Sequence, residues 1–259
     1  MKILINGGTH GTEQIGANVI NHFRKLIGDN DNLHYTIANP EALSRGVRFI
    51  ESDLNRVFPG KPDGSFEERI AYNLHPVIKS YDVVIDIHST ESGLRSAIII
   101  TKVTEETIAL IRETNAKYVL LMDITKGNSL ISDARIGIGF EYGPDTSHKA
   151  LSGTIGGISL MLKSLGFPVE TTSKPTKSKV VFRIGESLPK RDGFTALNTI
   201  TNYTMVQKGQ PYAHNAQTGG QLTARNDFYP ILFNEPRHTD IFGFVGQREH
   251  ALEEKLRRS

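Results

Sequence analysis

The chain has 259 residues, 38% of them hydrophobic and 22% charged, a balance that fits a folded globular protein and excludes a disordered one. The 30 Lys and Arg against 28 Asp and Glu leave a net charge of +2, so neither a polyanion binder nor an acidic-tail protein is indicated. Cysteine is absent, which excludes disulfides, Cys-ligated zinc, iron–sulfur clusters and a thiol nucleophile, so any metal site must use His, Asp and Glu.

In chain order, Lys2–Asn6 reads as a buried strand running into Gly7-Gly8. The start turns polar too early for a signal peptide, and no apolar run approaches a membrane span, so a cytoplasmic protein is expected. Ile15, Val19, Phe23, Leu26 and Ile27 then recur at helical spacing. Leu33–Ala38 is a second strand, and Asn39-Pro40 signals a helix start. Phe66–Lys79 is predicted helical, with Ile70, Leu74, Val77 and Ile78 on one face. Asp82–His88, dense in β-branched residues, is the clearest strand. Ala97–Thr101 (strand), Glu105–Asn115 (helix), Tyr118–Met122 (strand), Gly137–Tyr142 (strand) and His148–Leu165 (helix) follow. The alternation predicts an α/β architecture with helices flanking a largely parallel or mixed sheet.

Composition then shifts. Gly166–Lys179, rich in Pro, Thr and Ser and without helical period, reads as a linker or domain edge. Val180–Arg183, Tyr203–Val206 and Tyr229–Phe233 are short strand candidates, so residues 169–259 are expected to form a smaller β-rich domain after a larger one over 1–168. Glu249–Arg258 reads as a polar helical tail with little reason to be buried.

Three segments concentrate groups that a core does not need. In Gly7-Gly8-Thr9-His10-Gly11-Thr12-Glu13, the glycines allow a sharp turn, and His10 and Glu13 share a face if that turn is helical. Such a pair can give one imidazole nitrogen and one carboxylate to a zinc ion; alternatively His10 caps the turn and Glu13 favours a helix N-terminus. His88 ends the strongest strand, and ligands gather beyond the carboxyl ends of strands in open α/β sheets. If the two strands are parallel, His10, Glu13 and His88 converge, leaving an open fourth position, with Asp86 placed to orient a ligand. The other seven histidines have no comparable setting and read as surface residues. In Arg48–Arg56 (RFIESDLNR), guanidinium forks suit carboxylates and can polarise a carbonyl. In Gly137–Pro144 (GIGFEYGP), Glu141 sits in an apolar strand, expensive unless paired or working, which suggests a general base with a raised pKa; an edge-strand Glu facing water is the alternative.

Together, GGTHGTE at 7–13, RFIESDLNR at 48–56, DIHST at 86–90, FEYGP at 140–144 and FYPILFNE at 228–235 resemble the succinylglutamate desuccinylase/aspartoacylase family of the zinc carboxypeptidase superfamily, leaning toward the aspartoacylase branch. The resemblance implies a zinc-carboxypeptidase-like mixed sheet whose β-rich C-terminal domain caps the active site. It implies one zinc per chain on His10, Glu13 and His88, with Glu141 activating water and Arg48 polarising the scissile carbonyl. Asn55 and Arg56 resemble substrate-carboxylate binders, and Tyr229 the tyrosine that reaches in from the C-terminal domain. The implied activity is hydrolysis of the acyl amide of a small anionic N-acyl amino acid, N-acetylaspartate-like, with a homo-oligomer possible and no nucleic-acid or membrane partner. A zinc carboxypeptidase acting on short peptides and a non-catalytic metal-dependent binding protein are the alternatives. The chain departs from the family pattern at Thr12, where Asn is common, and at Tyr142, where Val is usual. Aspartoacylases carry one more substrate arginine upstream of the catalytic glutamate, and Arg135 is the nearest candidate, at a shorter spacing.

Overall fold

The computed structural model describes residues 1–257 apart from 29, 94, 95 and 126. β1 (Ile3–Gly7) lies parallel between β2 (Leu33–Ile37) and β3 (Val83–His88). β3 pairs in parallel with β6 (Ile136–Glu141), which meets β4 (Ala97–Ile100) antiparallel. β5 (Tyr118–Met122) and β7 (Val180–Pro189) continue in parallel, and β12 (Ile241–Arg248) and β11 (Tyr229–Ile231) close the edge antiparallel. The result is one nine-stranded mixed sheet in the order β11-β12-β7-β5-β4-β6-β3-β1-β2. A separate three-stranded antiparallel sheet comprises β8 (Phe194–Ala196), β9 (Pro211–Asn215) and β10 (Gln221–Thr223).

Helices cover both faces of the large sheet, which is why its central strands read as unbroken apolar runs rather than alternating ones. On one face Ile3, Ile5 and Ile85 pack with α1 (Ile15–Leu26), α4 (Glu105–Arg112) and α6 (His148–Ser164). On the other, Leu4 and Val84 pack with α3 (Phe66–Lys79) and α5 (Leu130–Asp133). The local signals are met where they were strongest. Asn39 caps α2 (Pro40–Arg45) by accepting from Ala42 N, and Ser65 with Glu68 forms a capping box on α3.

Two expectations are corrected. Residues 203–206 form no strand: Tyr203 has φ +66°, and Val206 makes only an isolated bridge to Phe228. The C-terminal helix α7 (His250–Arg257) is no solvated tail, because Leu252 and Leu256 join the core under the sheet. Glu253, only 2% exposed, accepts from Val181 N (2.9 Å) and from the Arg248 fork (2.8 and 2.9 Å). Arg258 lies outside the described residues. Downstream of the irregular stretch after α6, the chain gives β7, β11 and β12 to the large sheet and β8, β9 and β10 to the small one. Among the described residues no helix is long and apolar enough to cross a membrane.

Candidate active site

Parallel pairing brings the carboxyl ends of β1, β3 and β6 side by side. In this register Asn6 opposes Asp86, and His88 opposes Glu141 on the next strand. After β1 the chain turns at Gly8 (φ +64°) and passes so close to α2 that a Cβ on Gly11 would lie 2.1 Å from the Ala42 carbonyl. That turn aims His10 and Glu13 back at His88. Each of the three offers one ligand atom, all within 4.8 Å of one another, and all three are buried. The Glu13 carboxylate spans the two rings, 2.8 Å from His10 Nδ1 and 3.0 Å from His88 Nδ1.

The surroundings hold this cluster in place. Asp86, fully buried, lies 2.7 Å from His88 Nε2 and accepts from Asn6 Nδ2 (2.6 Å) and Thr9 Oγ1 (2.8 Å). Burial alone would raise its pKa, but the facing imidazole and these donors hold it below the usual carboxylate range. The same balance lowers Glu13 strongly against burial, through His10 and His88, while Asp86 and Glu13 raise His88 well above an ordinary imidazole despite its burial. Two imidazole nitrogens and a carboxylate oxygen, buried together and oriented from behind, suit a metal ion.

Glu141 ends β6 on an interior strand, between β3 and β4, and is 7% exposed. Burial, with the charges of Glu13 and Glu235 adding to it against the two histidines, pushes its pKa up to about 7. It lines a cavity of about 80 Å³ together with His10, Glu13, His88, Arg48, Asn55 and Arg56.

The segment carrying the arginines is pinned from beneath by Glu67, a fully buried residue of α3. Its carboxylate accepts from Ile50 N (2.6 Å), Glu51 N (3.0 Å), Ser52 N (2.9 Å) and Asn39 Nδ2 (3.0 Å). Arg48 then reaches His10 Nε2 (3.0 Å) and Asp53 (3.1 Å), and Asp53 lies 3.1 Å from the same His10 nitrogen. Burial opposes ionisation of Asp53, but His10, Arg48 and Arg56 override it and hold the carboxyl well below its usual range. Asn55 accepts from Leu130 N through its Oδ1 (2.9 Å), which leaves its amide NH₂ as the donor for a ligand. Arg56 is exposed and donates to the Asn55 carbonyl (2.8 Å).

The C-terminal part completes the cavity with residues that sequence reasoning missed. Glu235 accepts from Thr90 Oγ1 (2.5 Å), Glu91 N (2.8 Å) and Ser92 N (3.0 Å) in the loop after β3. Arg237 donates to Ser89 O (2.9 Å) and Glu91 (2.8 Å) and lies 3.4 Å from Glu13. His238 lines the cavity with its buried Nδ1 unpaired, which corrects its reading as a surface residue. Burial, reinforced by the Arg48 charge, lowers its pKa to about 4, so it is neutral at pH 7. The signal was at hand: Arg237 and His238 come one residue after the FYPILFNE segment, past Pro236.

One other expectation fails geometrically, and the nearest candidate for a further substrate arginine lies elsewhere. Tyr229 does not line the cavity: strand alternation places it with Ile231 on one face of β11, where its ring packs 5.0 Å from Phe182 in an apolar cluster. Arg135 is 57% exposed and lies 3.8 Å from both Asp82 and Glu106 at the surface.

Comparison with known proteins gives the family and the fold. Residues 1–150 match the family model of the succinylglutamate desuccinylase/aspartoacylase catalytic domain. An N-acyl-aromatic-L-amino acid amidohydrolase (carboxylate-forming) of Xenopus tropicalis is 29% identical over 171 residues, 55% of this chain and 54% of that protein. A probable aspartoacylase of Prochlorococcus marinus is 36% identical over 109 residues, 38% of this chain and 36% of that protein. The chain thus spans about half the length, or less, of these relatives. Murine aminoacylase 3 has the same fold, with a TM-score of 0.76 at 18% identity over 96% of this chain and 95% of that one.

Proposed function

The chain belongs to the succinylglutamate desuccinylase/aspartoacylase catalytic-domain family, and on that premise we propose that it is a zinc-dependent amidohydrolase of small N-acyl amino acids. The observation that carries this reading is the placement of Glu141, a buried carboxylate with a raised pKa, in one cavity with the His10, Glu13 and His88 cluster and Arg48. A binding site needs no base there; a hydrolase does.

His10 Nδ1 or Nε2, a Glu13 oxygen and a His88 nitrogen would hold the zinc, with Asp86 fixing the His88 ring. When bound there, the ion supplies Lewis-acid polarisation and acidifies water. Glu141 takes a proton from the attacking water as its oxygen adds to the acyl carbon. Arg48 donates to the oxygen on which negative charge develops, a contribution typically worth roughly 100- to 1000-fold in rate. Glu141 then returns the proton to the leaving nitrogen as the C–N bond breaks, giving a carboxylate and a free amino acid. The Asn55 amide and the Arg56 guanidinium hold the carboxylate of the amino acid. N-Acetylaspartate is one member of this substrate class.

Glu141→Gln keeps the shape and removes the basicity. It should retain the metal and lose about 10²- to 10⁴-fold in kcat, the usual worth of a positioned base. Near-normal turnover would remove Glu141 from the chemistry, and loss of metal would make it a ligand instead.

A further inference from the structure

Three short segments carry the candidate metal ligands and Glu141: the turn into α1, the end of β3 and the end of β6. One side chain touches the first two from the third. Asp145 stands four residues after Glu141, in the connection between β6 and α6. Its Oδ1 accepts from Ile15 N (2.9 Å) and Ser89 Oγ (3.0 Å), and its Oδ2 from Gln14 N (3.2 Å). Gln14 and Ile15 come directly after Glu13, and Ser89 directly after His88. A single carboxylate therefore grips the chain just beyond two of the three ligands.

Local chemistry explains half of this arrangement. The first N–H groups of a helix have no partner within it. Gln14, at the N-cap of α1, makes no side-chain capping bond, and the first turn holds no acidic residue. Asp145 supplies the missing acceptor and negative charge from another part of the chain. Capping alone requires only Gln14 N and Ile15 N, so the bond from Ser89 is additional. Ser89 is held from other sides as well. Its N donates to Glu13 (3.2 Å), and its carbonyl (2.9 Å) and hydroxyl (3.4 Å) accept from Arg237.

The connection that bears Asp145 is fixed in turn. A Cβ on Gly143 would lie 1.8 Å from the Thr90 carbonyl oxygen, so the chain after Glu141 runs hard against the loop after β3. Asp145 N donates to Glu91 (3.3 Å), whose carboxylate also accepts from Arg237 (2.8 Å). Asp145, Ser89, Arg237 and Glu91 thus close a ring of hydrogen bonds. A metal site tolerates ligand displacements of only about 0.5 Å, so what holds its ligand-bearing segments together matters to affinity. We propose that Asp145 is a positioning residue for the zinc site, locking the Glu13 turn and the His88 strand end to each other and to the strand that bears Glu141. This rests on the zinc reading above.

The test measures zinc affinity by competition with a chelating dye. It compares wild type, Asp145→Ala, Asp145→Asn, Ser89→Ala, the double variant Asp145→Ala/Ser89→Ala, and Thr104→Ala. Thr104 caps α4 by accepting from Thr107 N (3.1 Å) and does not line the cavity, so its variant reports what loss of a cap does by itself. Asp145→Ala and Thr104→Ala should both melt about 2–4 °C lower. Only Asp145→Ala should also weaken zinc binding, by about 10- to 100-fold, the usual cost of removing a group that orients ligands. Asp145→Asn keeps an oxygen for Ile15 and Ser89 and should recover most of that loss. Ser89→Ala should lose about threefold to tenfold, the worth of one hydrogen bond. The double variant should stay within about twofold of Asp145→Ala, because the two side chains act through one bond. Unchanged zinc affinity in Asp145→Ala, or losses that multiply in the double variant, would reduce Asp145 to a helix cap and overturn the proposal. Should Asp145→Ala not fold, Ser89→Ala decides, and unchanged affinity there rejects the proposal. If wild type bound no zinc, the zinc reading would fall on its own, and amide exchange on the metal-free protein would still decide the clamp. Faster exchange in Asp145→Asn or Asp145→Ala over both 14–17 and 86–92 supports it, and faster exchange over 14–17 alone rejects it.

Discussion

The two parts of the molecule that meet at the cavity are built differently. His10, Glu13, His88 and Glu141 stand at or just beyond the carboxyl ends of adjacent parallel strands, where register sets His88 beside Glu141 and the turn after β1 brings His10 and Glu13 to them. Glu235, Arg237 and His238 stand in the turn between β11 and β12, a stretch in which Leu232 and Asn234 both take positive φ. That turn is tied to the strand ends by side chains, with Glu235 on the Thr90–Ser92 loop and Arg237 on Ser89, Glu91 and Glu13. Sites carried on sheet ends hold chemistry rigidly, whereas sites carried on turns can vary in what they admit. In this protein the first kind holds the candidate metal ligands and Glu141, and the second closes the cavity around them.

The largest way to break that division is Arg237→Met. It strips the cation from a buried carboxylate group that includes Glu13 and Glu235, 3% and 5% exposed. Breaking such a buried pair typically costs roughly 3–5 kcal/mol. Urea melts of the variant should show a loss of that order, and a change below about 1 kcal/mol, the range of exposed pairs, would mean that the turn is not anchored this way. Arg56→Lys tests the proposed hold on the substrate carboxylate. It keeps the charge and loses the fork, so kcat/KM toward N-acyl amino acids with a free carboxylate should fall by roughly 1.5–3 kcal/mol. Amidated substrates should be poor for wild type and hardly worse for the variant, and equal losses on both would reject the carboxylate role.

On the strand side, Asp86→Asn should weaken metal binding about 10- to 100-fold by loosening the His88 ring, measured by competition with a chelating dye. Unchanged affinity would leave Asp86 a purely structural residue. The smallest effect lies far from the cavity. Lys179, 2% exposed, donates to the Thr114 (2.7 Å) and Ala116 (3.1 Å) carbonyls, and burial lowers its pKa from 10.5 to about 8. Because the unfolded chain binds this proton more tightly, stability should rise as pH climbs from about 8 toward 10.5. Between pH 7 and pH 9 Lys179 contributes at most roughly 1.3 kcal/mol of this rise, and Lys179→Met should remove it. Identical pH profiles for the two proteins would show that the lysine titrates normally.

Much of the first half was legible because period and function coincide there. The run Val83–His88 is both a strand dense in β-branched residues and the carrier of a candidate metal ligand at its end, and Glu141 stands out against the apolar residues of β6. The C-terminal part gave weaker signals. β12 contains Gly243 and Gly246 and switches register twice, so no period announced it. α7 looked solvated because its buried stripe is only Leu252 and Leu256, with Glu253 buried through hydrogen bonds that no single-sequence pattern reveals. Tyr229 was favoured by resemblance, yet the pleat of β11 turns it onto Phe182, while Arg237 and His238, in a polar stretch resembling any surface turn, reach the cavity.

The most direct test is metal content and turnover measured on the same sample, as purified, after chelation, and after stepwise return of zinc, with an N-acyl amino acid as substrate. One equivalent of metal per chain, activity lost on chelation and restored in proportion to the zinc returned, and neither binding nor recovery in His88→Ala are the expected results. Full turnover by the metal-free protein, or full zinc retention by His88→Ala, would contradict a zinc hydrolase built on His10, Glu13 and His88.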